Sequence, residues 1–399
     1  MRALKTSSES RFSVAIVGAG PAGASLAIRL ARDGSDVTLI ERATFPRQKL
    51  CGEFISPECM AHFDHLGVLP ALSAVGQRIF ETRFYLQNGQ SFQIPSDLLL
   101  SGGSALGVSR AQLDLRLLEA ARAAGARVIE GHNVNEVVMN DGRIAAVKAN
   151  AEQTAEVAAD IFVDATGRQR ILSKLTERLC MDRHSRGNGQ SALAVAFKNH
   201  LSGVSLEPGI CEIYFFRGGY AGISGIENGL ANVCLMVEPA IAKKFGGRAD
   251  EVIKNTLAVN RRAGALLDSC ECRGKWLAVS LSRYGRVNSS APPNLLSVGD
   301  AEAFIDPFTG SGILMALEGS NLLASAIKQY APDVDSIGTE YRTRLHKKFN
   351  KRLQFCSVLR RLASLPMLPS IVFRLLESSP KCRTMLASAT RRSKILYSA

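Results

Sequence analysis

The stretch FSVAIVGAGPAGASLAIRLARDGSDVTLIE, residues 12–41, constrains the fold of this chain more than any other. An apolar run rich in β-branched residues reads as a buried parallel strand. Gly18, Gly20 and Gly23 follow in G-x-G-x-x-G spacing, and a helical pattern then runs to Gly34. A second strand ends at Glu41. Gly18 permits a tight turn, Gly20 admits a pyrophosphate close to the backbone, and Gly23 lets helix and strand pack closely. Pro21 and Ala22 complete the turn as cofactor-binding positions, and the N-terminus of the helix that follows turns its partial positive charge toward the phosphates. Glu41 stands where it can accept hydrogen bonds from the ribose hydroxyls and repel a 2′-phosphate. Arg42 is expected along the adenosine.

The remaining motifs select among dinucleotides. Residues 126–166 read as short strands with an Asn-Asp-Gly turn, ending in Asp164-Ala-Thr-Gly167. NLLSVGDAEAFIDPFTGSGIL, residues 294–314, places Gly299-Asp300 after a strand and a Pro/Gly-rich turn before a helix. In order and spacing these motifs resemble the FAD enzymes that include the aromatic hydroxylases and the geranylgeranyl reductases, closest to the reductase-like branch.

The resemblance implies FAD, with Asp300 on the ribityl chain. It implies that Pro307, Thr309, Gly310, Ser311, Gly312 and Ile313 lie at the flavin edge, where backbone amides meet the charge of the reduced ring. Arg110 matches an arginine that begins a helix against the cofactor. NAD(P)H or a partner reductase is the implied electron source. The Thr166-Gly167 pair, where many single-component hydroxylases carry Asp-Gly, favours the partner.

In such a fold FPRQKLCGEFISPE, residues 45–58, crosses beneath the flavin. Gly52 gives close approach to the ring. Cys51 and Glu53 are the candidate catalytic residues, for positioning substrate or tuning flavin charge. Glu53 also reads as a residue at a helix N-terminus, favoured by the dipole, and Cys51 as a small buried hydrophobe. Tyr220 is a candidate for the substrate wall. Cys59, His62 and His65 lack a second ligand cluster, so no metal is expected.

The expected fold class is α/β with α+β elements. A Rossmann-type FAD domain (12–75, 104–172, 286–330) carries an inserted, mostly antiparallel substrate sheet (76–103, 173–285) and a basic helical region (331–399). The implied function is oxidoreduction of a hydrophobic substrate, lipid-like, polyketide or carrier-bound. Monooxygenation through a C4a-hydroperoxyflavin comes first, C=C reduction second, and a non-catalytic flavin-binding regulator third. A halogenase Trp-x-Trp-x-Ile-Pro signature is missing; the chain has one tryptophan.

The net charge of +13 does not point to nucleic acid. Residues 340–399 hold fourteen Lys or Arg against Glu340 and Glu377, and the rest is near neutral. That basic tail suggests peripheral contact with an anionic membrane, or a solvated helical cap on the FAD domain. The apolar run Leu362 to Phe373 is too short to span a bilayer. A short polar N-terminus and nine scattered cysteines suggest the cytoplasm.

Overall fold

The computed structural model describes residues 12–98, 103–151, 153–180, 192–268, 270–282, 284–286, 291–363, 374, 376–379 and 381–384. The first run of β-branched residues forms the strand Ser13–Val17, central in a five-stranded parallel sheet. Asp36–Ile40 and then Arg127–Ile129 lie on one side of it, Ile161–Asp164 and then Leu295–Ser297 on the other. Parallel strands need crossover connections, and the glycine-turn helix Pro21–Arg32 supplies the first. Its residues 21–30 are all buried, and it packs against Gly312–Tyr330, where Ser25 Oγ and Ser320 Oγ are 2.7 Å apart.

Asn133–Asn140, Arg143–Asn150 and Thr154–Ala158 form an antiparallel meander. Its first turn has Asp141 and Gly142 at φ 47° and 72°, the pair of positive values a tight two-residue hairpin needs.

A second, eight-stranded sheet stands across from the parallel one. It is antiparallel except at one seam, where Ile210–Phe216 pairs in parallel with Glu81–Tyr85. The expected hairpin at Asn88-Gly89 joins Glu81–Tyr85 to Ser91–Pro95, with Gly89 at φ 86°. Side chains alternate across this sheet as the pleat requires. Phe197, Val233 and Leu235 pack on one face with Val252, Leu257 and Ala263 of the helical stretch beneath. Ala196, Lys198, His200, Asn232 and Cys234 occupy the other face. That second face looks toward the glycine turn.

The tail begins as one helix, Val334–Ala363. Tyr341, Leu345 and Phe349 are buried in the core of the parallel-sheet half, each worth roughly 1.5–3 kcal/mol of hydrophobic burial. Lys348 and Arg352 reach Glu318, buried on the preceding helix, at 3.1 and 3.7 Å. The described part of the tail is therefore a cap on the parallel-sheet half, with Arg342, Lys347 and Lys351 exposed. No described helix is long and apolar enough to cross a membrane. The run Leu362 to Phe373 lies almost wholly outside the described residues.

Candidate functional site

The glycine turn is built as its spacing requires. Gly18 has φ 103°, and a Cβ there would stand 2.5 Å from the Ala165 carbonyl oxygen. A Cβ on Gly23 would meet Gly18 O at 2.0 Å, so the helix can lie this close only with glycine. Gly20 faces open space bounded by Arg110. It caps Pro21–Arg32 without a side-chain hydrogen bond, which leaves first-turn amides for a ligand. A cavity of about 730 Å³ begins here, lined by Gly18, Gly20, Glu41, Arg42 and Asp300. Glu41 Oε2 accepts the Ala19 amide at 2.8 Å and Oε1 the Ala43 amide at 3.1 Å. Arg42 stays exposed at the rim.

A second cavity, about 300 Å³ and mostly apolar, continues from the first. Pro21, Ala22, Cys51, Gly52 and Arg110 line one side, and Gly299, Pro307, Gly310, Gly312 and Ile313 the adjoining part. Phe84, Phe92, Tyr220, Cys234 and Phe308 close it from the antiparallel sheet and the 307–309 turn. Asp306 fixes that turn, accepting the Phe308 amide at 3.1 Å and the Tyr220 hydroxyl at 3.3 Å. Thr309 ends the turn and Gly310 follows at φ 59°. Buried Ser311 begins Gly312–Tyr330 without a side-chain cap. A Cβ on Gly52 or Gly312 would meet nothing within 4 Å, because both open onto this space. Two helix N-termini uncapped by side chains thus flank one continuous, glycine-floored cavity. These donors fit a dinucleotide whose flavin edge gains negative charge on reduction.

Glu53 is the most heavily bonded group at the site. It has no measurable exposure and a φ of 52°, costly for a residue with a Cβ. Its Oε1 accepts the Arg110 amide at 2.7 Å and also the Lys198 ammonium, and His200 Nε2 is 2.6 Å from Oε2. Asn232 Nδ2 donates to the Gly52 carbonyl at 2.9 Å and the Cys51 carbonyl at 3.3 Å. Glu53 is therefore not a first-turn residue of its own helix, as one sequence reading had it. It precedes the strand Phe54–Ile55 and caps the helix Arg110–Ala123 across space.

Lys198, His200 and Asn232 escaped the sequence reading. The signal was the i, i+2 spacing of Lys198 and His200, which puts both on one face of a strand. Cys51 is half-buried, and its Sγ accepts the Glu53 amide at 3.4 Å. Arg110 donates twice to Asp114, at 2.9 and 2.7 Å. Arg47 also binds Asp114, at 2.9 Å.

Burial raises the Asp300 carboxyl above its usual range, opposed by Arg168, Lys49 and Arg110. Burial pushes the Cys234 thiol up to about 12, with Cys51 adding to the effect. Burial, then Asp306, raises the Tyr220 phenol well above its ordinary value, so it remains a donor at neutral pH. Cys59 and His62 are buried in the helix Cys59–His65. Among the described residues no three His, Cys, Asp or Glu side chains gather at metal-binding range.

Residues 11–330 match the family described as FAD binding domain. A menaquinone reductase of Mycolicibacterium smegmatis is 28% identical over 369 residues, which cover 90% of this chain and 85% of the relative. A digeranylgeranylglycerophospholipid reductase of Methanopyrus kandleri is 26% identical over 366 residues, 86% of this chain and 84% of that one. The structure of the flavin-dependent brominase Bmp2 superposes with a TM-score of 0.79 at 18% identity, covering 95% and 93% of the two chains, a likeness of fold.

Proposed function

The chain belongs to the FAD binding domain family and is an FAD-dependent oxidoreductase, and on that premise we propose that it reduces a carbon–carbon double bond in a hydrophobic substrate. The observation that carries this reading is the place of Cys51. Cys51, next to Gly52, lines an apolar cavity that Arg110 lines as well. FAD held here and reduced by its electron donor would supply hydride chemistry at one carbon of the double bond. The Cys51 Sγ–H supplies the proton to the other carbon, and Arg110 stabilises the thiolate left behind. Glu53, which accepts from the Arg110 amide, Lys198 and His200, positions the Cys51–Gly52 segment. Tyr220 orients the substrate from the opposite wall, its hydroxyl tied to Asp306. Gly18 to Gly23, Glu41 and Arg42 hold the adenosine half of FAD, and Gly299, Asp300 and 307–313 the flavin half.

The names of two relatives, both reductases, support the same reading. The test is anaerobic incubation of the reduced holoprotein with polyunsaturated prenyl lipids. A product heavier by two hydrogens is expected. Product formed only with oxygen, and heavier by one oxygen atom, overturns it.

Oxygen transfer is the second reading, supported by the dry aromatic wall of Phe84, Phe92 and Phe308. NAD(P)H or a partner reductase delivers the electrons in either case. The exposed Arg342, Lys347 and Lys351 support docking on an anionic membrane surface, which cosedimentation with anionic vesicles tests.

A further inference from the structure

Arg168 and Lys49 line both cavities at their junction. Neither side chain makes a hydrogen bond or an ion pair with a described residue, though the Lys49 carbonyl accepts the Lys198 ammonium at 3.1 Å. Four of the cations around them are already engaged: Arg47 and Arg110 with Asp114, Lys198 with Glu53, and Arg170 with Glu177; Arg42 and Lys174 line the first cavity but do not reach the second. Arg168 lies over the Phe304 ring, its Cζ 5.4 Å from the centroid. Phe304 stacks on Tyr284 at 5.4 Å and packs with Ala196 and Met236 on the cavity-side face of the antiparallel sheet. The guanidinium is thus held at the junction, against a ring that packs on the antiparallel sheet. The uncapped first turn at Gly20 offers its own backbone amides to dinucleotide phosphates.

We propose that Arg168 and Lys49 form an anion subsite for the head of an amphipathic substrate whose apolar body occupies the adjoining cavity. The inference rests on the oxidoreductase reading only in taking the sheet-side part of that cavity, beyond the flavin, as the substrate site. A planar guanidinium with no protein partner recognises a carboxylate or phosphate by paired hydrogen bonds, and Lys49 adds a point charge beside it. Burial, then Arg110 and Arg47, lowers the Lys49 ammonium to about 8, with Asp114 and Asp300 opposing. Lys49 is nevertheless open to the cavity, so a bound anion can reach it.

The experiment compares decanoate with decanol binding to the FAD-loaded holoprotein, read from perturbation of the flavin absorbance. The anion is expected to bind about tenfold more tightly, the scale of one charge-assisted hydrogen bond. In Arg168→Gln the two ligands should bind within about twofold of each other, and Arg168→Lys should restore part of the gap. FAD affinity should stay unchanged in Arg168→Gln. Equal binding of the two ligands by the unaltered protein overturns the subsite. So does loss of FAD, or weaker NADPH-driven flavin reduction, in Arg168→Gln with the ligand gap intact. No turnover is needed, so a preserved head preference without anaerobic product would refute the proposed reaction and leave the subsite standing.

Discussion

His200 Nε2 stands 2.6 Å from Glu53 Oε2, a contact between groups 147 residues apart in the chain. Lys198 shares the carboxylate, and both donors come from the strand Ala194–Ser202. A buried charge that loses its partner carries its whole desolvation cost, so Glu53 and Lys198 depend on each other. Glu53→Gln should destabilise the apoprotein by about 3 kcal/mol, seen as a lower urea midpoint at unchanged slope. A loss below about 0.5 kcal/mol, the range of ordinary surface substitutions, would mean the pair is not buried in solution.

Cys51 tests the chemistry apart from the fold. Cys51→Ser keeps size and donor but weakens the acid, so kcat should fall on the order of a hundredfold with little change in KM. The thermal midpoint and FAD content should match the parent. A variant with full kcat would remove Cys51 as proton donor.

His62 predicts an acid limb in stability. Burial, then Arg29, Lys348 and His65, lowers its imidazolium from 6.5 to about 3. The folded value lies below the unfolded one, so between those pH values the unfolded chain holds the extra proton. Stability should therefore fall as pH drops from about 6.5 toward 3, by on the order of 4 kcal/mol across the window. Denaturant titrations of His62→Gln should show a flatter acid limb than the parent. Parallel limbs would mean that His62 titrates normally.

Two glycines separate folding from cofactor space. Gly18→Ala should lower stability and FAD content together, since its Cβ would enter the Ala165 backbone at a positive φ. Gly52→Ala should fold with a near-parental melting midpoint, since its Cβ would meet no protein atom within 4 Å. Its FAD or ligand affinity should drop, because the methyl projects into the cavity. Fluorescence titration with FAD, run beside thermal melts, distinguishes the two.

Local chemistry made much of this legible. The glycine turn, the Asn88-Gly89 hairpin and the 126–166 strands are specified by neighbours in sequence, and turn residues and alternation reveal them. Lys198 was hidden because a lysine ordinarily reads as a solvent-facing position, whereas here, at the middle of Ala194–Ser202, it is 1% exposed. Its partner sits 145 residues earlier, where no periodicity connects them. The parallel seam of Ile210–Phe216 with Glu81–Tyr85 was equally silent, since the segments are joined by neither a short turn nor a single helix. Amphipathicity in the tail was visible from Tyr341 to Phe349. Glu318, the acid that receives Lys348 and Arg352, carried no local signal inside an apolar helix.

The Glu53 joint also limits how this molecule can be recombined. The strand that supplies Lys198 and His200 belongs to one sheet, and the loop that carries their anion to the other half. A chimera that imports only the antiparallel sheet from a homologue without both cations would inherit an uncompensated charge at its centre. Exchange of substrate preference between relatives must therefore move residues 51–53 together with 198–200, as a single heritable unit.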